Sequence, residues 1–321
     1  MQELNKRTIR TWSRLGQRRT FFGEAIPEIA ENKNIMVTAA DCGETSGISR
    51  FRKSFPDKYV NVGIAEQNLI GISAGLAKEG ACVFATTYAI FTLRCLEQIR
   101  QNCGYMGFNV KVVGASAGFA MDIGGSTHHA IEDIAAMRAI PNMTVVSPAD
   151  AAEAYLAAHA VSEINTPVYV RLTGQANCPM IYSEPYDFKI GKGVVLKKGT
   201  DIALIGNGIL LAEVQKTAEI LEEKGVSCTV VNMHTIKPLD TELLDELFNN
   251  HKLIVTVEEH NIIGGLGSAV AEYKATLSNA PRQIIIGVPD CFGKAGEYMY
   301  LLEQYGLTAA QIAETTRSFT L

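Results

Sequence analysis

The sequence predicts an α/β protein with a parallel sheet covered by helices on both faces, followed by a smaller α/β domain. Short, continuously apolar and β-branched runs alternate with helix-like stretches through the first half of the chain. Strands that are apolar along their whole length are typical of parallel sheets, because both faces of such sheets are buried. The alternation stops at 174–192, a stretch with two prolines and little periodicity, and then resumes. This interruption indicates a boundary between two domains.

Six strands separated by helices are predicted in the first domain. The strands lie at 35–39, 59–63, 82–86, 110–114, 144–148 and 167–171. Intervening segments such as EQNLIGISAGLAKEG and ADAAEAYLAAHAVSE are helix-like. In the second domain, apolar segments at 201–208, 226–240, 252–260 and 283–290 alternate with predicted helices. We therefore predict domains at 1–175 and 191–321, joined by a linker at 176–190.

Composition argues against several classes of protein. The 321 residues are 47% hydrophobic and 20% charged, which is ordinary for a globular protein. A net charge of −5 gives no basis for a nucleic-acid partner. The start of the sequence has no apolar signal-peptide core, and no apolar run is long enough to cross a membrane. The seven cysteines form no C-x-x-C pair, so we expect reduced thiols and a cytoplasmic protein.

A carboxylate stands at a predicted corner between a strand and a helix. In YVNVGIAEQNLIGISAGLAKEG the strand ends at Gly63, and Glu66 follows on the first turn of the next helix. Ligands of open α/β sheets bind at the carboxyl ends of the strands, and the helix dipole favours a negative charge there. Glu66 is therefore a candidate functional carboxylate, although the same position also suits a residue that only starts the helix.

Two further segments follow strand ends. In TTYAIFTLRCLEQIR, Tyr88, Phe91 and Arg94 recur every three residues, so a helical turn would place them on one face. They could form a flat wall for a ring, or they could pack the helix on the sheet. The polar loop GGSTHH contains His128 and His129, which suit acid–base chemistry or hydroxyl binding. The alternative for this loop is helix capping by its serine or threonine.

Taken in order, these segments resemble the transketolase family, in the form in which the enzyme is split into two chains. The resemblance rests on GIAEQ, T-Y-x-x-F-x-x-R, G-x-T-H before I-E-D, SPAD, IKPLD and VEEH, which span nearly the whole chain. It implies a thiamine diphosphate-binding fold, with a pyrimidine-binding domain followed by a transketolase C-terminal domain. It also implies transfer of a two-carbon ketol unit from a ketose donor to an aldose acceptor.

The resemblance implies roles for single residues on the cofactor side. Glu66 matches the catalytic glutamate that hydrogen-bonds N1′ of the cofactor's aminopyrimidine. Tyr88 and Phe91 match the aromatic wall against that ring, and Arg94 lies beside it. The remaining cofactor-side matches are Ile64, which holds the cofactor bent, and Asp41.

On the substrate side the match is incomplete. His128 matches a substrate-side histidine with a catalytic role, and Arg19 and Ser46 match phosphate-side positions. Ser116, Gly124 and Gly174 replace a histidine, an aspartate and a phosphate-binding arginine of the family pattern, and Arg171 lies three residues before the last of these. A branched ketose phosphate would use the space at residue 124, and a sulfonated or unphosphorylated sugar would explain the glycine at 174. We therefore expect a donor other than, or in addition to, a standard sugar phosphate.

The family binds the diphosphate and its metal through a G-D-G segment, and the 321 residues contain none. No metal ligand is therefore predicted in this chain. The resemblance implies that an N-terminal transketolase chain binds Mg²⁺, or another divalent ion, and the diphosphate in an α2β2 assembly. This chain would then be active only with that partner.

Three other interpretations compete with a transketolase subunit. The β-subunit of a 2-oxoacid dehydrogenase has the same two-domain layout, but G-x-T-H and T-Y-x-x-F-x-x-R argue against it. A deoxyxylulose-phosphate synthase is normally one long chain with its own G-D-G segment. A degenerate, regulatory subunit would have no reason to keep Glu66 and the aromatic pair.

Overall fold

The computed structural model describes residues 5–184 and 186–319. Its strands are β1 (Ile35–Ala39), β2 (Tyr59–Asn61), β3 (Cys82–Tyr88), β4 (Val110–Ala117), β5 (Thr144–Val146), β6 (Val168–Thr173), β7 (Val194–Lys197), β8 (Ile202–Gly206), β9 (Cys228–Asn232), β10 (Thr235–Lys237), β11 (Leu253–Asn261) and β12 (Arg282–Val288).

The α-helices are α1 (Lys6–Thr20), α2 (Ile26–Ala30), α3 (Ser49–Ser54), α4 (Glu66–Lys78), α5 (Leu96–Gln98), α6 (Asp133–Ala139), α7 (Ala151–Glu163), α8 (Leu211–Glu222), α9 (Thr241–Asn250), α10 (Leu266–Lys274), α11 (Tyr298–Gln304) and α12 (Ala309–Ser318). Short 3₁₀ turns lie at Pro56–Lys58, Ala89–Cys95, Asp122–Gly124 and Gly208–Leu210, and π-helical turns at Phe21–Ala25 and Ile99–Tyr105.

The first sheet contains all six predicted strands, in the order β10-β5-β6-β4-β3-β1-β2. Strands β1 to β6 pair in parallel, as their apolar sequences predict. The seventh strand, β10, comes from the second half of the chain and pairs antiparallel with β5. The sequence predicts one apolar segment at 226–240, whereas in the structure this segment forms β9 of the second sheet and β10 of the first.

The second sheet has the order β12-β11-β8-β9-β7. Strands β8, β9, β11 and β12 pair in parallel, and β7 joins the edge antiparallel to β9. β7 was not predicted, because a half-buried run of four residues carries little periodic signal.

Helices cover both faces of the first sheet. The neighbouring residues Val112 and Val113 of β4 belong to two different hydrophobic clusters, one on each side of the sheet. On one side, Trp12 of α1 stacks on Tyr155 of α7 with ring centroids 4.7 Å apart. On the other side, α4 packs against the sheet through residues that include Leu69. The fold class predicted from the sequence is therefore confirmed, with one antiparallel strand added at the edge.

The segment between β6 and β7 has no regular structure in its described residues, yet it is fixed to the first domain. Asp150 caps α7 by accepting the backbone N–H of Glu153 at 2.7 Å. Its other carboxylate oxygen accepts the N–H groups of Ile181 and Tyr182 at 2.7 and 2.9 Å. A single buried carboxylate thus caps the start of α7 and anchors the segment between the sheets.

Within 5–184 and 186–319, the helices are all too short or too polar to cross a membrane. All seven cysteines are free thiols.

Candidate active site

The candidate site begins where β1 and β2 end. The side-chain oxygen of Asn61 accepts the backbone N–H groups of Asp41 and Gly63 at 3.1 and 3.0 Å. Both acceptor bonds require the chain to turn sharply, and Asp41 and Gly63 have φ values of 58° and 75°. This turn starts α4 directly at the carboxyl edge of the sheet, with exposed Asp41 beside it.

Glu66 is the first residue of α4, as predicted, and its side chain is only 4% exposed. Arg94 covers it from the solvent side, with Nη1 at 3.1 and 3.3 Å from the two carboxylate oxygens. The Arg94 side chain is 56% exposed, so this pair is a buried anion under a solvated cation. Residues 64–68 and Arg94 line an open crevice above the carboxylate.

Tyr88 and Phe91 lie side by side, as the three-residue spacing predicts, and their two rings are called the aromatic wall below. Tyr88 ends β3, and Phe91 and Arg94 lie on the following 3₁₀ turn, whose three residues per turn place them one above the other. The Tyr88 and Phe91 rings are 5.7 Å apart, and the Arg94 guanidinium lies 5.1 Å from the Phe91 ring centre. Tyr88 also contacts the loop after β1, because its hydroxyl lies 3.2 Å from Oγ1 of Thr45.

The histidine loop approaches the same wall. The His128 ring lies 5.8 Å from the Phe91 ring, and Oγ1 of Thr127 lies 3.0 Å from Nδ1 of His128. The capping alternative for this loop is wrong, because α6 begins only at Asp133 and has no side-chain cap bond. His129 instead points inward, with Nε2 at 2.9 Å from the carbonyl oxygen of Asp122. Burial lowers the pKa of His129.

Residues of the second domain form hydrogen bonds with this loop. Glu259 accepts the backbone N–H of Phe119 at 2.6 Å and the hydroxyl of Tyr298 at 3.1 Å. The hydroxyl of Ser126 donates to the carbonyl of Gly293. Burial raises the pKa of Glu259 to about 7. VEEH contributed to the resemblance only as a family motif, so the positioning role of Glu259 was not predicted.

Two predicted substrate-side residues lie in the interior instead. Arg171 is buried and its Nε donates to Asp133 at 2.8 Å, while Nη2 donates to the carbonyls of Ala130 and Glu259 at 3.0 and 2.9 Å. These partners make Arg171 part of a buried ion pair and argue against a phosphate-binding role. Ser46, in the loop after β1, is fully buried, with its hydroxyl 3.5 Å from that of Thr86.

Other predicted positions remain at the surface. Arg19 is exposed, and its backbone packs against Gly47. Gly124 is exposed, and a Cβ there would lie 3.1 Å from Cβ of His128, so a side chain would crowd that histidine. Ile64 is 77% exposed at the mouth of the crevice.

Ser116 and Gly174 form part of a contact that the sequence did not predict. Arg18 of α1 donates from Nη1 to Oγ of Ser116 at 2.7 Å and from Nη2 to the carbonyl of Gly174 at 2.8 Å. Ser116 adopts φ 56° at the end of β4. No local pattern could have identified Arg18, because its two partners are 98 and 156 positions away in the sequence.

Among the described residues, no group of three or more His, Cys, Asp or Glu side chains is arranged to hold a metal ion.

Two families match consecutive parts of the chain. The transketolase pyrimidine-binding domain matches residues 17–179, and the transketolase C-terminal domain matches residues 191–312. A putative transketolase C-terminal section from Methanocaldococcus jannaschii is 40% identical over 297 residues, which cover 91% of this chain and 93% of that protein. A 6-deoxy-6-sulfo-D-fructose transketolase subunit from Clostridium sp. (strain MSTE9) is 36% identical over 291 residues, 90% of each chain.

A solved structure described as a split gene transketolase, inactive β4 tetramer, superposes with a TM-score of 0.85. It is 40% identical and covers 94% of this chain and 97% of its own. These matches confirm the resemblance predicted from the ordered motifs. The chain therefore belongs to the transketolase family, with its pyrimidine-binding and C-terminal domains in succession.

Proposed function

We propose that this chain is the C-terminal subunit of a split, thiamine diphosphate-dependent transketolase that moves a two-carbon ketol unit from a ketose to an aldose. The observation that carries the proposal is a buried carboxylate, Glu66, beside an aromatic wall at the carboxyl edge of a parallel sheet. A glutamate that only started the helix could lie on the surface of α4. The Glu66 carboxylate is instead buried and faces a crevice.

The residues present fit the pyrimidine end of thiamine diphosphate. The Glu66 carboxylate offers an acceptor for a ring nitrogen proton, and the Tyr88–Phe91 pair offers a flat apolar surface. Exposed Ile64 lies at the rim of the crevice, and exposed Asp41 is held at the nearby turn by Asn61. When bound, the cofactor supplies the nucleophilic carbon and the electron sink for breaking the C2–C3 bond of the ketose.

Glu66 is the residue that holds a proton at the pyrimidine nitrogen. Its position on the first turn of α4 aligns the helix dipole with the carboxylate. Arg94 orients that carboxylate through Nη1 and stacks on Phe91, so it fixes the acid and the wall together.

His128 is the substrate-side group. Its Nδ1 is engaged by the Thr127 hydroxyl, which leaves Nε2 to bind a sugar hydroxyl. The ring is half-buried and lies next to Phe91, so a sugar held there would be close to the aromatic wall.

The diphosphate and Mg²⁺, or another divalent ion, bind to an N-terminal transketolase chain in an α2β2 assembly. The lack of a G-D-G segment in the 321 residues supports this division of the site. Exposed apolar side chains at Ile64, Ile123 and Phe292, each 77% exposed, also suit a surface that another chain covers. The seven free thiols favour the cytoplasm as the location of the complex.

The donor is a ketose other than, or in addition to, a standard sugar phosphate. Gly124 leaves space beside His128 for a branched carbon, and Gly174 lacks the arginine of the family pattern. The relative that acts on a sulfonated fructose supports a donor of this kind.

The test is to co-express this chain with its N-terminal partner chain, add thiamine diphosphate and Mg²⁺, and identify products by mass spectrometry. We expect a two-carbon extension of an aldose acceptor from branched, sulfonated or ordinary ketose donors, and no turnover by this chain alone. Oxidative decarboxylation of a 2-oxoacid, or condensation of pyruvate with an aldehyde phosphate, would contradict the proposal. A wide preference for an ordinary ketose phosphate would contradict the donor assignment alone.

A further inference from the structure

Arg18 is a partly buried arginine that contacts only neutral acceptors. Its two terminal nitrogens donate to Oγ of Ser116 and to the carbonyl of Gly174. Within the described ranges 5–184 and 186–319, no carboxylate lies within ion-pair distance of it. A guanidinium has five N–H donors, so about three remain for another group. Burial lowers the pKa of Arg18, as expected for a cation without a counter-ion.

The fold holds this cation at the functional edge of the sheet. Tyr88 of β3 pairs with Ala115 of β4, and Ala117 of β4 pairs with Thr173 of β6. The two acceptors of Arg18 are the residues next to these pairs, so its guanidinium spans the ends of β4 and β6. The guanidinium therefore lies against the end of β4, the strand next to β3, which ends in the aromatic wall.

A local break in α1 brings Arg18 to this place. Gly16 has φ 72° and ψ 178° inside the helix, and a Cβ there would lie 2.4 Å from the carbonyl oxygen of Gln175. Only glycine allows α1 to approach the chain after β6 so closely. The following turn then directs Arg18 toward Gly174.

The observed position of Arg18 is incompatible with a large side chain at position 174. A Cβ at position 174 would lie 2.9 Å from Oγ of Ser116, the atom that Arg18 binds. A long side chain at 174 would therefore displace the Arg18 guanidinium. With glycine at 174, this edge lacks the arginine of the family pattern. The same glycine leaves room for the guanidinium of Arg18 from α1.

We propose that Arg18 binds the anionic terminus of the sugar donor, a tetrahedral phosphate or sulfonate, in place of an arginine at position 174. The inference rests on the proposed transketolase function for the identity of the ligand. It argues for a charged donor and against an unphosphorylated, uncharged one. A planar guanidinium with several free N–H groups is well suited to a tetrahedral oxyanion.

The experiment compares Arg18→Gln with wild type in the complex with the N-terminal partner chain. Donors are a terminal ketose phosphate, a terminal ketose sulfonate and a neutral ketose. Arg18→Gln should lower kcat/KM about 10- to 100-fold for the charged donors, mainly through KM, because a hydrogen bond to a charged group is lost. The neutral donor should be unaffected. The ratio of phosphate to sulfonate turnover by the wild type identifies the source of the anion.

Arg14 is an exposed arginine of the same helix, so Arg14→Gln is the matched control. It should leave kcat/KM unchanged for charged and neutral donors. Arg18→Lys keeps the charge and should retain part of the preference for anions, and it serves if Arg18→Gln does not fold. An equal loss for charged and neutral donors, or no loss for the charged ones, would overturn the role of Arg18.

A second readout does not depend on turnover. Methyl phosphate and methanesulfonate should raise the melting temperature of the complex in a saturable way, and Arg18→Gln should abolish the effect. If no ketose is turned over but this anion binding is observed, the transketolase proposal fails while the anion site stands. If ketoses are turned over and neither anion acts through Arg18, only the Arg18 proposal fails.

Discussion

The carboxylate of Glu259 accepts the backbone N–H of Phe119 at 2.6 Å, across the boundary between the two sheets. Phe119 begins the loop that carries His128, and Gly118 before it has φ 65°. A Cβ on Gly118 would lie 2.4 Å from the Glu259 carboxylate, so glycine is required for this contact. The second domain therefore positions the loop of the first domain that carries His128.

Replacing Glu259 should disturb that loop without touching the crevice. Glu259→Ala leaves the Phe119 N–H without a buried acceptor, which should cost about 1–3 kcal/mol in the free energy of unfolding. We expect a higher KM for the sugar and an unchanged Kd for thiamine diphosphate in the complex. Tyr298→Phe removes the other hydrogen bond of the Glu259 carboxylate and is the control, with little change in KM. Equal effects of the two variants on KM would contradict a role for Glu259 in positioning the loop.

Glu66→Gln should nearly abolish activity while leaving the fold intact. The amide keeps the size of the side chain but cannot hold the proton as a carboxylate does, so kcat should fall by about 10²- to 10⁴-fold. Steady-state kinetics of the complex measure this loss, with circular dichroism as the check on folding. Glu79→Gln, at the exposed end of α4, should retain full activity. Near wild-type turnover by Glu66→Gln would remove the role proposed for this carboxylate.

Removing a ring from the wall should weaken cofactor binding. Phe91→Ala loses the surface that contacts Tyr88, Arg94 and His128, and we expect the Kd for thiamine diphosphate to rise about tenfold. Titration of the complex, followed by intrinsic fluorescence or calorimetry, measures the change. Tyr88→Phe keeps the ring and loses only the contact with Thr45, so its Kd should stay close to wild type. A Phe91→Ala protein with unaltered Kd would show that the wall does not contact the cofactor.

Arg171 should matter for stability, since it is paired in the interior. Arg171→Met leaves Asp133 buried without its cation, and breaking such a pair costs about 3–5 kcal/mol. Urea denaturation should show this loss. Asp133→Asn should be destabilising as well, because Asp133 also accepts the hydroxyl of Tyr169 at 2.7 Å. A stable Arg171→Met protein with a raised KM for phosphorylated donors would instead restore the phosphate role predicted from the sequence.

His234 should make stability depend on pH. Its ring is fully buried and stacks on Phe188 at 4.1 Å, and burial lowers its pKa from 6.5 to about 3. Between these values the unfolded chain binds a proton that the folded protein excludes, so stability falls as pH decreases below 6.5. His234→Phe removes the contribution of this ring to the pH dependence of stability.

Relative to that variant, the wild type should lose about 2 kcal/mol between pH 6.5 and 5, at about 1.4 kcal/mol for each pH unit. Urea denaturation of both proteins at pH 8, 6.5 and 5 measures the difference. Parallel pH profiles for the two proteins would show that His234 is accessible to protons in the folded state.

Much of the candidate site was predictable because its parts are local. The corner at Gly63, the start of α4 at Glu66 and the three-residue spacing of Tyr88, Phe91 and Arg94 are properties of short segments. The same holds for the strands of both parallel sheets, whose apolar runs need no partner to be recognised. The family resemblance added the order of these segments and the chemistry that they imply.

The rest depended on contacts between distant segments. The sequence could not show that Ser46 is covered, that Arg171 pairs with Asp133, or that Glu259 reaches Phe119. Nor could it show that β10 leaves the second domain to extend the first sheet.

By itself, the sequence determined the fold class, the family and the position of Glu66 at the start of a helix, since each of these follows from local periodicity and ordered motifs. Only the tertiary structure decided which charged side chains face the crevice and which are neutralised inside. The physical reason is that burial and pairing set the state of a charge, and both depend on partners that are distant in the sequence: Arg171 pairs with Asp133, 38 positions away, and Glu259 accepts from Phe119, 140 positions away.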